Sequence, residues 1–189
     1  PNSKNYPQAA LEKIQSFGAE LVPVKPNLLD IVTTYTKRVA EENDYQMMPY
    51  AFNHPIYIEY FSDRMKELVD ENAFDNLVIN AGSGVTGSGL LKGFMDYDSF
   101  IPQKNSYLIT TAGQKSITHM LKKWDVYHHK NVHIHEAEHD FFDSMDWLDT
   151  PFPCNEFWDK KAWYWLERNN LKGRTLFWNL GGKALDFCI

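Results

Sequence analysis

The sequence predicts an α/β fold, a three-layer structure in which an open, mostly parallel sheet carries helices on both faces. Two observations support this fold class. Short apolar segments alternate along the chain with segments of helical periodicity, as they do in parallel sheets. Glycine-rich turns follow two of the apolar segments, at residues 82–89 and 181–182. Ligands bind outside the carboxyl ends of parallel strands, so these turns mark the expected functional edge.

The N-terminal part of the chain predicts three helices and a short strand. The expected elements are helices over residues 7–17, 28–42 and 56–71 and a strand over residues 19–24. Gly18 follows the first helix as a C-cap. The aromatic-rich segment 45–55 is expected to be irregular. Because such loops often carry binding residues, Asn53 and His54 are candidates to face a ligand.

The rest of the chain supplies the predicted sheet. Strands are expected from Leu77 onward and over residues 106–111 and 175–179, with helices over residues 86–95, 114–124 and 159–169. The pattern of residues 131–139 leaves helix and strand open, whereas residues 143–155, rich in Pro and Asp, predict a loop. Alternation of this kind favours parallel pairing of the strands.

The glycine-rich turn after the first of these strands predicts a phosphate-binding loop. It delivers the chain to the N-terminus of a helix, where free backbone N–H groups and the helix dipole favour an anion. Its glycines let the backbone approach a ligand closely, and the hydroxyls of Ser83, Thr86 and Ser88 add donors. The alternative is a helix N-cap preceded by a flexible turn, because glycine-rich patterns are weak signals when they stand alone.

Composition narrows the class of protein. The chain has 189 residues, enough for one domain, or for one large and one partial domain. A formal net charge of −6 and the lack of a Lys/Arg-rich segment argue against a nucleic-acid partner. Cys154 and Cys188 are too few for a disulfide framework, which favours a reducing compartment. No apolar run or signal-like segment indicates a membrane or secretion, so we expect a soluble, cytoplasmic protein.

Three segments of the chain share their order with a known enzyme family. They are residues 18–24 (GAELVPV), 45–49 (YQMMP) and 74–89 (FDNLVINAGSGVTGSG). Together they resemble the pyridoxal 5′-phosphate (PLP) enzymes of fold type II, the tryptophan synthase β type. Within that type the chain looks most similar to the D-cysteine desulfhydrase and 1-aminocyclopropane-1-carboxylate deaminase group. The resemblance implies that backbone N–H groups of the loop hold the cofactor phosphate, a role that falls on Gly82, Ser83, Gly84, Val85 and Thr86.

The C-terminal part of the chain carries two further matches to that group. Residues 158–162 (WDKKA) stand where the group has a Tyr-x-Gly-Lys-Ala-like stretch, and residues 176–182 (LFWNLGG) where it has Leu-Phe-x-His-(Thr/Leu)-Gly-Gly. In the deaminases an acid near the first stretch contacts the pyridine nitrogen, and the resemblance gives this position to Asp159. It also places Asn179 and Gly181 around the ring. The chain departs from the group at Trp158, Lys160 and Asn179, which stand for Tyr, Gly and His.

The resemblance covers nearly all of this chain but only the C-terminal part of the family's length. The family's N-terminal region supplies the Schiff-base lysine, in a Ser/Asn-x-Lys type motif, and an Asn that contacts the cofactor hydroxyl. No segment here matches that motif, and Lys4 lies in a polar tail, so no catalytic residue is assigned. We expect residues 1–45 to belong to the small domain and residues 46–189 to the PLP phosphate-binding part of the large domain, in a fragment or a shortened relative.

With this resemblance, the sequence predicts the C-terminal part of a PLP-dependent lyase or deaminase. It would act by elimination, deamination or β-replacement on a small amino acid, with the cofactor as electron sink, and would show no turnover alone. A homodimer or a complementing N-terminal segment is the expected partner, because a missing domain would leave apolar surface exposed. The alternative is a non-catalytic subunit that binds a phosphorylated ligand or completes a split enzyme.

A third alternative is a zinc hydrolase. Residues 135–139 spell His-Glu-Ala-Glu-His, which matches the zinc motif His-Glu-x-x-His provided that the segment is helical. The alternation of Val132 and Ile134 instead favours a strand and a solvated segment of His and acidic residues. Asp also recurs every three positions over residues 140–149 without the Gly and Glu of an EF-hand. We therefore expect a solvated acidic loop and no metal site.

Overall fold

The computed structural model describes residues 8–22, 29–71, 74–97, 104–128 and 131–180. The chain divides into two compact units, one made of Pro1–Tyr50 with Ala184–Ile189 and the other of Ala51–Lys183. The boundary between small-domain and large-domain segments at residues 45 and 46 stays a prediction. Among the described residues, no helix is both long and apolar enough to span a membrane.

The first unit contains two of the predicted helices, α1 (Gln8–Ser16) and α2 (Leu29–Glu42). Gly18 follows α1 with φ +86° and donates its N–H to the carbonyl oxygen of Gln15, as expected for a C-cap. The strand predicted over residues 19–24 is wrong for its described part, because residues 19–22 are irregular and exposed. Strand propensity depends on a partner strand and a face to bury, and the described part of this unit offers neither. Residues 23 and 24 lie outside the described ranges.

The second unit contains the sheet. A 3₁₀ turn (Tyr50–Phe52) leads into the following elements, in order: α3 (Pro55–Glu71), β1 (Asn76–Asn80), α4 (Val85–Tyr97), β2 (Asn105–Thr110), α5 (Gln114–Lys123), β3 (Val132–Glu136), α6 (Asp159–Asn169) and β4 (Thr175–Trp178). The strand order is β3-β2-β1-β4, and all three pairings are parallel. The predicted α/β fold class is confirmed, and the predicted helices and strands of this unit agree within one or two residues.

Helices cover the sheet on both faces, which gives three layers. On one face, Leu77 and Ile79 of β1 pack with buried apolar residues of α3, α4 and α5. On the other face, Val78 packs with Ala162 and Trp165 of α6. Because successive side chains of a strand point to opposite faces, β1 is buried on both sides, which explains its continuous apolar sequence.

Two glycines of α4 serve helix packing rather than ligand binding. A Cβ at Gly89 would lie 2.6 Å from the Cβ of Phe61, and one at Gly93 would lie 2.5 Å from the carbonyl oxygen of Ser62. Both contacts are with α3, so these glycines let the two helices approach closely. The glycine-rich pattern of residues 82–89 therefore combines a short loop with the start of a packing face.

The segment whose pattern left helix and strand open is β3, at the edge of the four-stranded sheet. The chain after it is irregular up to α6, as predicted for residues 143–155. Lys161 of α6 holds the start of this segment, because its buried ammonium donates to the carbonyl oxygens of Asp140 and Phe141.

Candidate functional site

The loop between β1 and α4 has the geometry of an anion-binding turn. Strand β1 ends at Asn80, and α4 begins at Val85. The first bond of the helix runs from the Ser88 N–H to the carbonyl oxygen of Gly84, at 2.9 Å. Helical geometry therefore leaves the N–H groups of Val85, Thr86 and Gly87 without partners inside the helix. They point outward at the carboxyl end of a parallel strand, where anions bind.

Gly84 is required at its position for two reasons. Its φ of +83° is a conformation that other residues rarely adopt. In addition, a Cβ there would lie 3.2 Å from the Cβ of Met120 in α5. At Gly82, in contrast, an added Cβ would meet no other atom within 4 Å. The loop is therefore closed on the side of α5 and has open space beside Gly82.

The three predicted hydroxyl donors have different surroundings. Ser83 Oγ accepts the Val85 N–H at 3.4 Å, which supports the turn and leaves its own proton available. Ser88 Oγ is buried and donates to the carbonyl oxygen of Gly84 at 2.8 Å. Ser88 therefore supports the loop from behind, and its predicted role as a ligand donor is wrong. Thr86 is partly buried at the start of α4.

The structure brings Asp159 and Asn179 to the same edge as the loop. Strand β4 pairs with β1, with Trp178 opposite Ile79, so Asn179 follows beside Asn80. Asp159 is the first residue of α6 and is 1% exposed, and its Oδ1 accepts the Leu180 N–H at 3.4 Å. Asn179 Nδ2 donates to the carbonyl oxygen of Pro153 at 2.6 Å. Gly181, predicted beside them, lies outside the described residues.

Three ionisable groups near Asp159 are either hydrogen-bonded to the backbone or buried. Lys160 Nζ donates to the carbonyl oxygen of Leu148 at 2.6 Å. Burial lowers the pKa of Lys161, although Asp143 and Asp140 raise it in part. Burial raises the pKa of the Cys154 thiol, which is therefore a poor nucleophile at neutral pH.

Asn80 is a polar residue of this edge that sequence reasoning missed. It is 6% exposed, and within the described part of the chain its Oδ1 has no hydrogen-bond partner. Thr111 Oγ1, just beyond β2, and Trp178 Nε1, at the end of β4, are also buried without partners there. The other such atoms among the described residues belong to Ser106 inside β2 and to Ser62, Trp124 and Glu156 outside the sheet. The only available signal was a polar residue between an apolar strand and a glycine turn.

Asn53 and His54, the two residues before α3 that were candidates to face a ligand, form hydrogen bonds within the protein. Asn53 Oδ1 accepts a hydrogen bond from Lys123 Nζ at 3.1 Å. His54 Nδ1 accepts the Ile56 N–H at 3.3 Å, close to the start of α3. These contacts give both residues a role in holding the beginning of α3, and their orientation towards a ligand stays a prediction.

The zinc-hydrolase alternative is wrong. His135 and Glu136 lie in β3, and the Ala137 N–H continues the sheet by donating to Thr110, so the helix that the motif needs is not formed. The His135 ring packs 4.8 Å from that of Trp165, and burial lowers its pKa. Within the described ranges, no three His, Cys, Asp or Glu side chains are grouped to hold a metal.

The fold and this edge define a parallel α/β protein with a helix N-terminus presented by a glycine turn and a buried carboxylate beside it. No protein-family model matches the chain. The chain is similar to the glycyl-dTMP PLP-dependent decarboxylase of Pseudomonas phage M6, with 26% identity over 197 aligned positions. The alignment covers 93% of this chain and 66% of that protein's length. This similarity supports a relationship to PLP-dependent enzymes, whose cofactor is the one predicted from the sequence.

Proposed function

We propose that this chain binds PLP at the carboxyl edge of its sheet and forms part of a PLP-dependent enzyme of fold type II. One observation carries the proposal. The outward N–H groups at the start of α4 follow strand β1. The buried carboxylate of Asp159 lies next to the end of β4, the parallel neighbour of β1. A ligand whose phosphate lies at the loop would therefore share this edge of the sheet with the acid.

The residues present fit this cofactor. Gly84 keeps the turn clear of a side chain, and the N–H groups of Thr86 and Gly87 suit phosphate oxygens, while the Val85 N–H is held by Ser83. Asp159 is fixed by the Leu180 N–H and would hold the proton on the pyridine nitrogen through its negative charge. When bound, PLP supplies an electron sink for the bonds of an amino-bearing carbon.

The resemblance and the relative favour different reactions at that carbon. The deaminase group implies elimination, deamination or β-replacement on a small amino acid. The relative's name instead specifies a decarboxylase of glycyl-dTMP. We propose decarboxylation of an amino acid attached to a thymidine nucleotide. The aligned relative is matched over most of this chain, which is the specific ground for preferring this reaction.

The Schiff-base lysine is proposed to come from outside these residues, from a complementing segment. Two lysines in the described part of the chain are buried, but both make structural contacts. Lys161 holds backbone carbonyls, and the Lys104 ammonium lies 3.7 Å from the centre of the Phe74 ring, before β2. A cytoplasmic setting suits the free thiol of Cys154.

Titration of the purified chain with PLP tests this proposal, with absorbance and tryptophan fluorescence as readouts. Wild type is expected to bind, and Gly84→Asp to weaken binding at least about 100-fold, because a carboxylate in the loop repels the phosphate. Gly18→Asp is the matched control, since Gly18 has the same backbone conformation in the other unit and open space around it. Its affinity should equal that of wild type.

Three results would count against the proposal or its parts. If wild type does not bind PLP, the cofactor assignment is wrong. If both aspartate variants lose affinity equally, the loop has no special role. If borohydride reduction of the mixture leaves a pyridoxyl group on a lysine of this chain, the missing-lysine proposal is wrong.

A further inference from the structure

Asn80 occupies the boundary between β1 and the glycine loop, and its surroundings do not explain it. It ends a strand whose three central residues are all apolar and fully buried. Strand alternation places its side chain on the same face as Val78, which packs against α6. On that face lie Asp159, at the start of α6, and Asn179, which follows the last residue of β4 as Asn80 follows its partner Ile79.

If Asn80 had a structural role in the turn, its side chain would be expected to hydrogen-bond the backbone of the turn, and no such bond is formed among the described residues. An asparagine before a turn usually accepts a hydrogen bond from a backbone N–H about two residues further on. Here the Gly82 N–H, two residues on, is not bonded to Asn80 Oδ1. The Ala81 N–H donates to the carbonyl oxygen of Ile109, and the Val85 N–H is held by Ser83. Asn80 Oδ1 accepts no bond from the described part of the chain, although it is fully buried. A buried acceptor without a donor lowers the stability of the folded chain.

We propose that Asn80 is a ligand-positioning residue whose Oδ1 accepts a hydrogen bond from an N–H or O–H group on the ring or substrate end of the bound ligand. This inference rests on the proposed function. An amide oxygen is only an acceptor, and the phosphate ester of PLP has only acceptor oxygens once it is fully ionised, above its second pKa of about 6. Asn80 Oδ1 therefore does not hold the phosphate, which belongs to the N–H groups of the loop. It selects ligands that carry a donor beyond the phosphate.

Asn76 provides a matched control on the same strand and the same face. It is equally buried, but its side chain is fully bonded at the opposite end of β1. Leucine has nearly the shape of asparagine and no polar atom, so Asn80→Leu and Asn76→Leu compare an open acceptor with a satisfied one.

The experiment measures three quantities in each protein by calorimetry and thermal unfolding: the affinity for PLP, the affinity for inorganic phosphate and the Tm without ligand. For Asn80→Leu we expect PLP affinity to fall about tenfold, phosphate affinity to stay unchanged and Tm to rise by about 3 °C. For Asn76→Leu we expect a lower Tm and unchanged affinity for both ligands in the folded protein.

Other outcomes overturn the inference. Equal loss of both affinities in Asn80→Leu would mean that Asn80 only shapes the loop, and unchanged PLP affinity would mean that it contacts no ligand. If wild type binds phosphate but not PLP, the proposed function fails first, and this inference fails with it. Asn80→Ala, which is smaller and cannot clash, gives the same comparison of affinities if the leucine variant does not fold.

Discussion

Strand β1 begins at Asn76 and ends at Asn80, and these two buried asparagines have opposite surroundings. Asn76 Nδ2 donates to the carbonyl oxygen of Lys172 at 2.8 Å and lies 3.4 Å from Thr175 Oγ1. Its Oδ1 accepts a hydrogen bond from Asn105 Nδ2. Within the described ranges, Asn80 Oδ1 has no partner. The same side chain closes one edge of the sheet and leaves an acceptor open at the other.

Further bonds join the strands at the edge of the sheet where the parallel strands begin, which we call the amino edge. Asp75 Oδ2 accepts the Arg174 N–H at 2.7 Å, and the Asp75 carbonyl oxygen accepts the Asn105 N–H at 3.0 Å. The Lys104 ammonium covers the Phe74 ring. These contacts link β4, β1 and β2, so the amino edge is held together by the protein itself.

The carboxyl edge instead presents groups that the described part of the chain does not satisfy. Outward N–H groups at the start of α4 join the unpartnered atoms of Asn80, Thr111 and Trp178. Because the great majority of buried polar groups in proteins are hydrogen-bonded, an open acceptor at Asn80 beside the glycine loop supports the proposal that a ligand binds at this edge. Under the proposed function, stability and binding would depend on opposite edges of one sheet.

The largest expected effect comes from a substitution that disrupts the hydrogen bonds of the amino edge. Asn76→Leu removes three hydrogen bonds and leaves the carbonyl oxygen of Lys172 without its donor. We expect the free energy of unfolding to fall by about 3 kcal/mol, measured by urea denaturation. Asn80→Leu should raise this free energy instead. A loss of stability in both variants would contradict the contrast between the two edges.

An intermediate effect compares the carboxylates of the two edges. Asp159→Asn should weaken PLP binding about tenfold and change the absorbance of the bound cofactor, because a neutral amide does not stabilise a positive ring nitrogen. Asp75→Asn should leave both unchanged and slightly lower the stability, since the carboxylate of Asp75 accepts the Arg174 N–H at the amino edge. Equal affinities for PLP in the two variants would remove Asp159 from the site.

The sequence predicted the elements of the second unit well, because each has a strong local pattern. Strand β1 is a continuous apolar run, and each of the helices carries apolar residues at helical spacing. The strand predicted over residues 19–24 failed because a local pattern does not show whether a partner strand exists. Gly89 was correctly expected in the helix over residues 86–95, but the sequence did not show that it packs against α3.

The candidate site could be placed at its edge but not described in detail from the sequence. Asp159 and Asn179 came from a resemblance, and the parallel pairing of β1 with β4 brings them near the loop. Asn80 was missed because its lack of a partner depends on β2, β4 and α6, which are distant in sequence. The motif at His135 failed because its spacing is meaningful only on a helix.

The smallest expected effect concerns pH and the amino edge. Burial lowers the pKa of Lys104 below its ordinary value of 10.5, while Asp75 partly raises it and Arg174 lowers it further. Between the folded and unfolded pKa the unfolded chain binds more protons, so the contribution of Lys104 to the free energy of unfolding rises with pH. Lys104→Met lacks this contribution. The difference in unfolding free energy, wild type minus variant, should therefore increase as the pH rises from neutrality towards 10.5. Urea denaturation across this range measures it, and a constant or decreasing difference would show that the ammonium is not desolvated at this edge.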